Sequence, residues 1–325
     1  MNSDGGGASE EDRPRDDEIL AFHHAIRAAD AEKLEFVGDK EPLSVLAAEY
    51  EAGNPVFRAK VEKLGQTYVA IRRARGDGNC FFRSFMFSYL EHILETRDET
   101  EVKRIQKNIE QSKKALIELG YQEFTFEDFL SIFVEQLDSV LPGRESSVDI
   151  DQLVEKCRDR YISDYVVMFF RFVTSAEIRK RAEFFEPFIL GLSNMNVQQF
   201  CKTSVEPMGE ESDHVHITAL SDALGVPVRV VYLDRSVGAD GKNTDVNHHD
   251  FLPPDCPTVE MPPVVLLYRP GHYDILYTRE VQNLAPVPRV EEPQDLPELK
   301  GLQEAKETPV KSIQDANSTQ EAIAA

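Results

Sequence analysis

Residues 75–85 read RGDGNCFFRSF and join a tight turn to a helix that is apolar on nearly all sides. Glycines at 76 and 78 permit positive φ and the close approach of a ligand's backbone. A helix N-terminus carries about half a positive charge and free N–H groups, and both favour thiolate over thiol. Converging amides can also hold an oxyanion during acyl transfer. The stretch therefore predicts a nucleophilic Cys80, although a cysteine packed behind a turn is the commoner meaning of such a pattern.

A thiolate enzyme also needs a base, and His272 is the leading candidate. Residues two apart in a strand face the same way, so His272 and Asp274 are predicted to share one side. The carboxylate can then hold the imidazole in one tautomer and support its charged form. An isolated His-x-Asp is more often a surface pair. The 192 residues between Cys80 and His272 are no objection, because such partners meet in the fold.

A zinc site is the rival interpretation for the other cysteines and histidines. His214 and His216 could bind zinc together with Cys201, but their separation fits no common zinc spacing. Asp213 before them suits a helix start. The cysteines other than Cys80 are predicted to be structural: Cys157, Cys201 and Cys256.

Two further histidine pairs receive no catalytic role. His248 and His249 lie in a stretch rich in Gly, Asn and Asp and are predicted to be solvated in a loop. His23 and His24 lie in a predicted N-terminal helix and are candidates for contact with a partner. The sequence therefore predicts neither a metal nor a cofactor.

Composition excludes some functional classes. The 325 residues are 41% hydrophobic and carry a net charge of −22, whereas a nucleic-acid-binding protein needs a basic face. No secretory leader and no run of about eighteen apolar residues is present, so no membrane association is predicted. The expected location is the cytoplasm, the nucleus or both, with reduced thiols.

Three segments are predicted along the chain. Residues 1–16 are acidic and without periodicity and are expected to be disordered. Residues 17–278 form one mixed domain. Residues 279–325, rich in Pro and Glu, are expected to form a flexible tail with one short helix near 299–305.

Apolar periodicity predicts helices early in the domain and strands late, which indicates an α+β fold with a small sheet covered by many helices. Thr125 is predicted to cap the helix that follows it. Arg269-Pro270-Gly271 predicts a tight turn that joins the last two strands as a hairpin. Predicted helices are 18–30, 44–50, 56–64, 80–94, 100–119, 126–141, 150–158, 161–174, 176–191 and 215–224. Predicted strands are 67–72, 226–233, 263–268 and 272–277.

Two motifs resemble those of a known family. GDGNCFFR at 76–83 resembles the D-G-N-C-F-[YF]-R signature of ovarian-tumour (OTU) domain cysteine proteases. YRPGHYDILY at 268–277 is similar to the histidine motif of one branch, the otubains (peptidase C65 family). Otubain-like stretches also lie at 124–129, 205–208 and 211–217. The resemblance spans roughly 17–278 and implies a papain-like fold.

The resemblance implies a deubiquitinating cysteine isopeptidase. On that basis Cys80 attacks the carbonyl of ubiquitin's C-terminal glycine, and His272 takes the thiol proton and later protonates the leaving amine. Asp274 orients His272. Asp77 helps to build the oxyanion hole, through its backbone amide and by fixing the loop.

The resemblance also implies partners. These are ubiquitin, polyubiquitin chains, including the linkage that signals proteasomal degradation, and ubiquitin-conjugating (E2) enzymes. In the family a second ubiquitin binds through the N-terminal helix, here about 17–30. Two alternatives stay open: a ubiquitin- or E2-binding regulator that acts without catalysis, and a cysteine protease for ordinary peptides.

Overall fold

A six-stranded mixed sheet separates the helices of this protein into two layers. The computed structural model describes residues 31–50, 55–234, 246–254, 256 and 260–279. This part of the chain contains ten α-helices, so the predicted α+β class is confirmed. The predicted helices at 18–30 and 299–305 lie outside the described residues, as do both predicted terminal segments apart from Arg279.

The elements are numbered in chain order. The strands are β1 (Val37–Pro42), β2 (Tyr68–Ala74), β3 (Val228–Tyr232), β4 (His248–Phe251), β5 (Val264–Arg269) and β6 (His272–Thr278). The helices are α1 (Ser44–Glu49), α2 (Pro55–Thr67), α3 (Cys80–Thr96), α4 (Glu99–Glu118), α5 (Glu127–Ser139), α6 (Ile150–Arg158), α7 (Arg160–Lys180), α8 (Ala182–Ser193), α9 (Val197–Phe200) and α10 (His214–Leu224). A 3₁₀ turn (Glu123–Thr125) precedes α5, and a π-helical turn (Cys201–Val205) follows α9.

The strand order is β1-β2-β6-β5-β3-β4, and only β3 and β5 run parallel. The predicted hairpin is confirmed, since β5 and β6 pair antiparallel with Arg269 opposite His272. Gly271 in its turn has φ +74°, a left-handed conformation that glycine adopts without strain. The hairpin therefore presents His272 as the first residue of a central strand.

The sequence did not predict the two edge strands. The β1 segment, VGDKEP, contains residue types that strands disfavour, and its register is broken by an irregularity after Val37. The β4 segment pairs only with β3 and includes His248 and His249, so their predicted loop is wrong. Both strands form because a neighbouring strand supplies the hydrogen-bonding edge, which periodicity within the segment does not reveal.

Helix α3 is the centre of the main core. It packs on β5 and β6, and its side chains are buried on nearly every face, as its composition predicts. A second apolar cluster lies on the opposite face of the sheet, beneath α1 and α2. None of the described helices combines the length and the apolar character needed to cross a membrane. Because α3 packs on β6, the helix that begins at Cys80 lies against the strand that begins at His272.

Two details of the predicted helices are wrong. Helix α7 continues to Lys180 instead of ending at 174, because Thr174, Ser175 and Ala176 are buried against neighbouring helices. Thr125 does not cap α5: it lies in the 3₁₀ turn, and α5 begins after the fully buried Phe126 without a side-chain cap. In both places tertiary packing outweighs the local preference.

Candidate active site

The β5–β6 hairpin brings His272 and Asp274 together on one face of β6. The imidazole Nε2 lies 2.9 Å from Oδ1 of Asp274, which is completely buried. His272 itself is about one-fifth exposed, at 21%. The two-residue spacing in the strand thus places the Asp274 carboxylate beside the His272 imidazole, and only the histidine is accessible to solvent.

Asp274 is held by more than His272. The backbone N–H of Ala74, at the end of β2, donates to Oδ1 at 3.0 Å, and Nη2 of Arg269 donates to Oδ2 at 2.5 Å. Burial alone would raise the pKa of Asp274, but His272, Arg269 and the Ala74 amide together lower it below its usual value. The carboxylate is therefore ionised and fixed in orientation, and Arg269 is a contributor that sequence reasoning missed.

Cys80 is the other hydrogen-bond partner of the imidazole. It is the first residue of α3 and is 4% exposed. A side chain at position 76 would begin 3.5 Å from Nδ1 of His272, so this nitrogen faces the loop that leads into Cys80. Burial would lower the pKa of His272, but hydrogen bonds and charge from Asp274 and Cys80 raise it to about 10. The arrangement therefore favours the protonated, imidazolium form of His272.

The start of α3 supplies donors for a developing negative charge. The first intrahelical bond runs from the Arg83 N–H to the Asn79 carbonyl at 3.0 Å. The N–H groups of Cys80, Phe81 and Phe82 therefore lack intrahelical acceptors, as in the first turn of any helix. The Cys80 amide is the one attached to the nucleophile itself, which makes it the natural first donor to an oxyanion.

Asp77 fixes the loop before α3. Its Oδ1 accepts from the Asn79 N–H at 3.0 Å, and its Oδ2 pairs with Nη1 of Arg83 at 2.5 Å. Arg83 is almost fully buried and also binds Ser163 and Asp164. The Asp77 N–H, however, donates to the Arg75 carbonyl at 3.0 Å. The Asp77 side chain thus contacts both the loop and the first turn of α3, while its amide is engaged within the turn before it.

Comparison with known proteins agrees with this geometry. Residues 29–278 match the family described as Peptidase C65 Otubain. The chain belongs to the otubain family. The resemblance inferred from the two motifs is thereby confirmed.

Relatives of this otubain and solved structures of similar proteins point the same way. An Arabidopsis thaliana relative named ovarian tumor domain-containing deubiquitinating enzyme 1 is 60% identical over 260 residues, 78% of this chain and 85% of the relative. Human ubiquitin thioesterase OTUB1 is 39% identical over 262 residues, 81% of this chain and 90% of the relative. A solved complex of h/ceOTUB1 with ubiquitin aldehyde and UBC13~Ub gives a TM-score of 0.68 at 33% identity, covering 81% of this chain and 98% of that one.

A cleft of about 950 Å³ opens beside His272 in this otubain domain. Loops 76–78 and 209–213 form two of its walls. Gly78 has φ +78°, and a Cβ there would lie 1.8 Å from the Gly209 carbonyl oxygen. The two walls therefore meet through bare backbone at the floor of the cleft, beside the helix start that carries Cys80.

The remaining cysteines have features of structural residues. Burial raises the pKa of Cys157 to about 12 and also raises that of Cys201. Cys256 is partly buried, and burial raises its pKa as well. Each of these thiols is therefore kept in its unreactive form at neutral pH.

Of the rival zinc residues, His216 takes part in a helix cap together with Asp213. Asp213 accepts from the Val215 N–H at 2.8 Å and from the His216 ring at 2.9 Å at the start of α10. His214 contacts the Tyr232 hydroxyl at 2.7 Å instead of facing Cys201. Within the described residues, no group of three His, Cys, Asp or Glu side chains is arranged to hold a metal.

Proposed function

We propose that this otubain is a thiol-dependent ubiquitin isopeptidase that uses Cys80 as nucleophile, His272 as acid and base, and Asp274 as the group that orients His272. The observation that carries the proposal is the hydrogen bonding of His272, which lines the cleft, to both Asp274 and Cys80, in a chain whose relatives are named deubiquitinating enzymes and ubiquitin thioesterases. An intact nucleophile, base and orienting carboxylate favours catalysis over purely non-catalytic regulation.

Acylation begins at the sulfur. The Cys80 thiolate attacks the carbonyl carbon of ubiquitin's C-terminal glycine, a C–S bond forms, and the carbonyl π electrons move to the oxygen. As this oxyanion collapses, the bond to the substrate lysine nitrogen breaks. His272 gives its proton to the departing amine, so that a neutral amine leaves and a thioester to Cys80 remains. Since Nε2 is held by Asp274, Nδ1 is the nitrogen that delivers the proton.

Deacylation reverses the roles. His272, now neutral, takes a proton from a water molecule that attacks the thioester carbonyl. The C–S bond then breaks, the Cys80 thiolate is restored beside imidazolium, and ubiquitin leaves as a carboxylic acid that loses its proton to solvent. We assign the Cys80 amide as the first oxyanion donor. Asp77 supports the hole chiefly through its side chain, and its own amide becomes available only when the turn to Arg75 opens.

The cleft suits a narrow, basic peptide. Carboxylates of Glu210, Glu211 and Asp213 line the cleft, and the glycines at 78 and 271 border it without side chains. Ubiquitin's tail ends in two glycines and carries arginines upstream. A thin thread can therefore approach the sulfur while the arginines meet negative charge.

An apolar groove next to the cleft suits the body of the bound ubiquitin. Phe184, Phe188 and Leu192 project from one side of α8 at four-residue spacing and are 47%, 55% and 60% exposed. The groove that includes the two phenylalanines has a volume of about 500 Å³, and Leu192 also lines the catalytic cleft. Exposed apolar surface near a substrate cleft is typical of a docking site.

The proposal extends to polyubiquitin chains, including the linkage that signals proteasomal degradation, and to E2 enzymes. Solved complexes of OTUB1 contain ubiquitin aldehyde with UBC13~Ub or UBCH5B~Ub, which supports both partner classes. It also includes the reducing cytoplasm or nucleus as location, because the chemistry requires a free Cys80.

The test is cleavage of a panel of differently linked diubiquitins by the full chain. We expect hydrolysis of isopeptide-linked substrates, and Cys80→Ala is expected to abolish turnover while ubiquitin binding, measured by calorimetry, survives. Wild-type protein that binds ubiquitin but cleaves none of the panel would favour the regulatory alternative. Cleavage of ordinary peptides without ubiquitin would favour the general protease.

A further inference from the structure

Arg171, in the middle of α7, is a fully buried cation that lacks a carboxylate partner. Its exposed fraction is 0%, and none of the ion pairs found among the described residues includes it. Burial lowers the pKa of its guanidinium to about 10. Burying a charge without an ion pair is costly, so the guanidinium depends on hydrogen bonds to neutral acceptors.

The two terminal nitrogens of the guanidinium donate to both sides of the catalytic cleft, whereas Nε is buried without a hydrogen-bond partner. Its Nη2 donates to the Gly78 carbonyl at 3.2 Å and to Oδ1 of Asn79 at 2.8 Å, both in the loop that leads into Cys80. Nη2 also lies 2.8 Å from the Glu210 carbonyl, and Nη1 donates to the Val205 carbonyl at 2.9 Å. One side chain thus joins residues 78–79 to residues 205–210.

These contacts fix the orientation of the peptide group between Gly78 and Asn79, in the loop that leads into Cys80. The Gly78 carbonyl points inward to Arg171, while the Asn79 N–H is held by Asp77. Asn79 Oδ1 also accepts from the Gly209 N–H at 3.0 Å, which reinforces the join. If the Gly78 carbonyl turned into the cleft instead, its partial negative charge would repel the oxyanion that forms at Cys80.

We propose that Arg171 is a positioning residue for the oxyanion site: it holds the Gly78 carbonyl away from the reacting carbonyl and keeps the two cleft walls in the geometry that acyl transfer requires. The proposal rests on the proposed isopeptidase function and adds a residue to it. Lysine cannot replace Arg171, because a single ammonium group cannot reach all four acceptors that the planar guanidinium group contacts.

The test compares two reactions of the same sulfur. Amide hydrolysis needs the thiolate and the oxyanion site, whereas alkylation of Cys80 by iodoacetamide is a displacement that needs only the thiolate. Both rates are measured for wild type, Arg171→Lys and Arg171→Met, with hydrolysis followed on a ubiquitin C-terminal amide and thermal unfolding recorded for each protein. Arg104→Lys is the matched control, since Arg104 also donates to a carbonyl, that of Leu224, away from the cleft.

We expect both Arg171 variants to lose on the order of 10- to 100-fold in kcat, less than the loss on removing an oxyanion donor itself. Their alkylation rates should stay within about twofold of wild type, because the pairing of Cys80 with His272 is unchanged. The control should match wild type in both reactions. Unchanged hydrolysis in the Arg171 variants would overturn the proposal. A parallel fall in hydrolysis and alkylation, as in a variant that simply fails to fold, would overturn it as well. Wild type that alkylates but does not hydrolyse the ubiquitin substrate would instead overturn the proposed function.

Discussion

Replacing Asp274 by asparagine removes the charge that supports His272 while keeping the size of the side chain. In the folded protein the pKa of His272 rises from an ordinary 6.5 to about 10, which corresponds to about 5 kcal/mol in favour of imidazolium. Asp274 and Cys80 share this effect. If Asp274 supplies about half, Asp274→Asn costs roughly 2–3 kcal/mol of imidazolium stabilisation.

This loss predicts a change in both rate and pH dependence. Because imidazolium protonates the leaving amine, activity should decline at alkaline pH as His272 loses its proton, near pH 10 in wild type. In Asp274→Asn the alkaline limb should move down by roughly two pH units, and kcat at neutral pH should fall on the order of 100-fold. The assay is kcat against pH on a ubiquitin C-terminal amide.

Asp250→Asn is the matched control. Asp250 also pairs with an arginine, Arg229, across neighbouring strands, but away from His272. Its pH profile should coincide with that of wild type. An alkaline limb that stays in place in Asp274→Asn, with the protein folded, would show that Asp274 does not set the basicity of His272.

Three further outcomes are expected. Gly78→Ala should destabilise the fold and suppress hydrolysis, because its Cβ would lie 1.8 Å from the Gly209 carbonyl oxygen. Gly120→Ala, with φ +91° and no atom within 4 Å of the added Cβ, should show only the milder backbone strain. Equal melting temperatures for the two variants would contradict the predicted clash at Gly78. The stability that the raised pKa of His272 contributes is complete below about pH 6.5 and should fade as pH rises through about 10. Denaturant unfolding of wild type and His272→Gln across this range should show a difference in the free energy of unfolding that shrinks as pH rises. A difference that grows with pH would refute this expectation. Phe188→Asp should raise KM for ubiquitin substrates with little change in the rate of Cys80 alkylation, and an unchanged KM would remove the apolar groove from substrate binding.

Local spacing predicted the parts of the site that lie within one element. The two-residue interval between His272 and Asp274, and the turn before the apolar helix at Cys80, both translate directly into the observed geometry. The resemblance to otubains joined the two motifs, which lie far apart in the chain. Without it, the pattern at Cys80 would also have suited an inert buried cysteine.

Contacts between distant segments were beyond the reach of the sequence. Ala74 and Asp274 are 200 residues apart, and Arg171 and Asn79 are 92 apart, so no periodicity indicates that they meet. Arginines in a helix or at a strand end usually predict solvated charge, and only the fold shows that Arg171 is buried. Strand β4 was missed for the same reason, since its pairing partner β3 supplies what its own sequence lacks.

Labelling of the full chain with ubiquitin that carries a C-terminal electrophile, followed by peptide mass spectrometry, would show whether Cys80 and His272 form a catalytic pair. We expect a single adduct at Cys80, its disappearance in Cys80→Ala, slower labelling in His272→Gln, and no modification of Cys157 or Cys201. An adduct on another cysteine, or labelling of Cys80 at an undiminished rate without His272, would contradict the claim that these two residues form the catalytic pair.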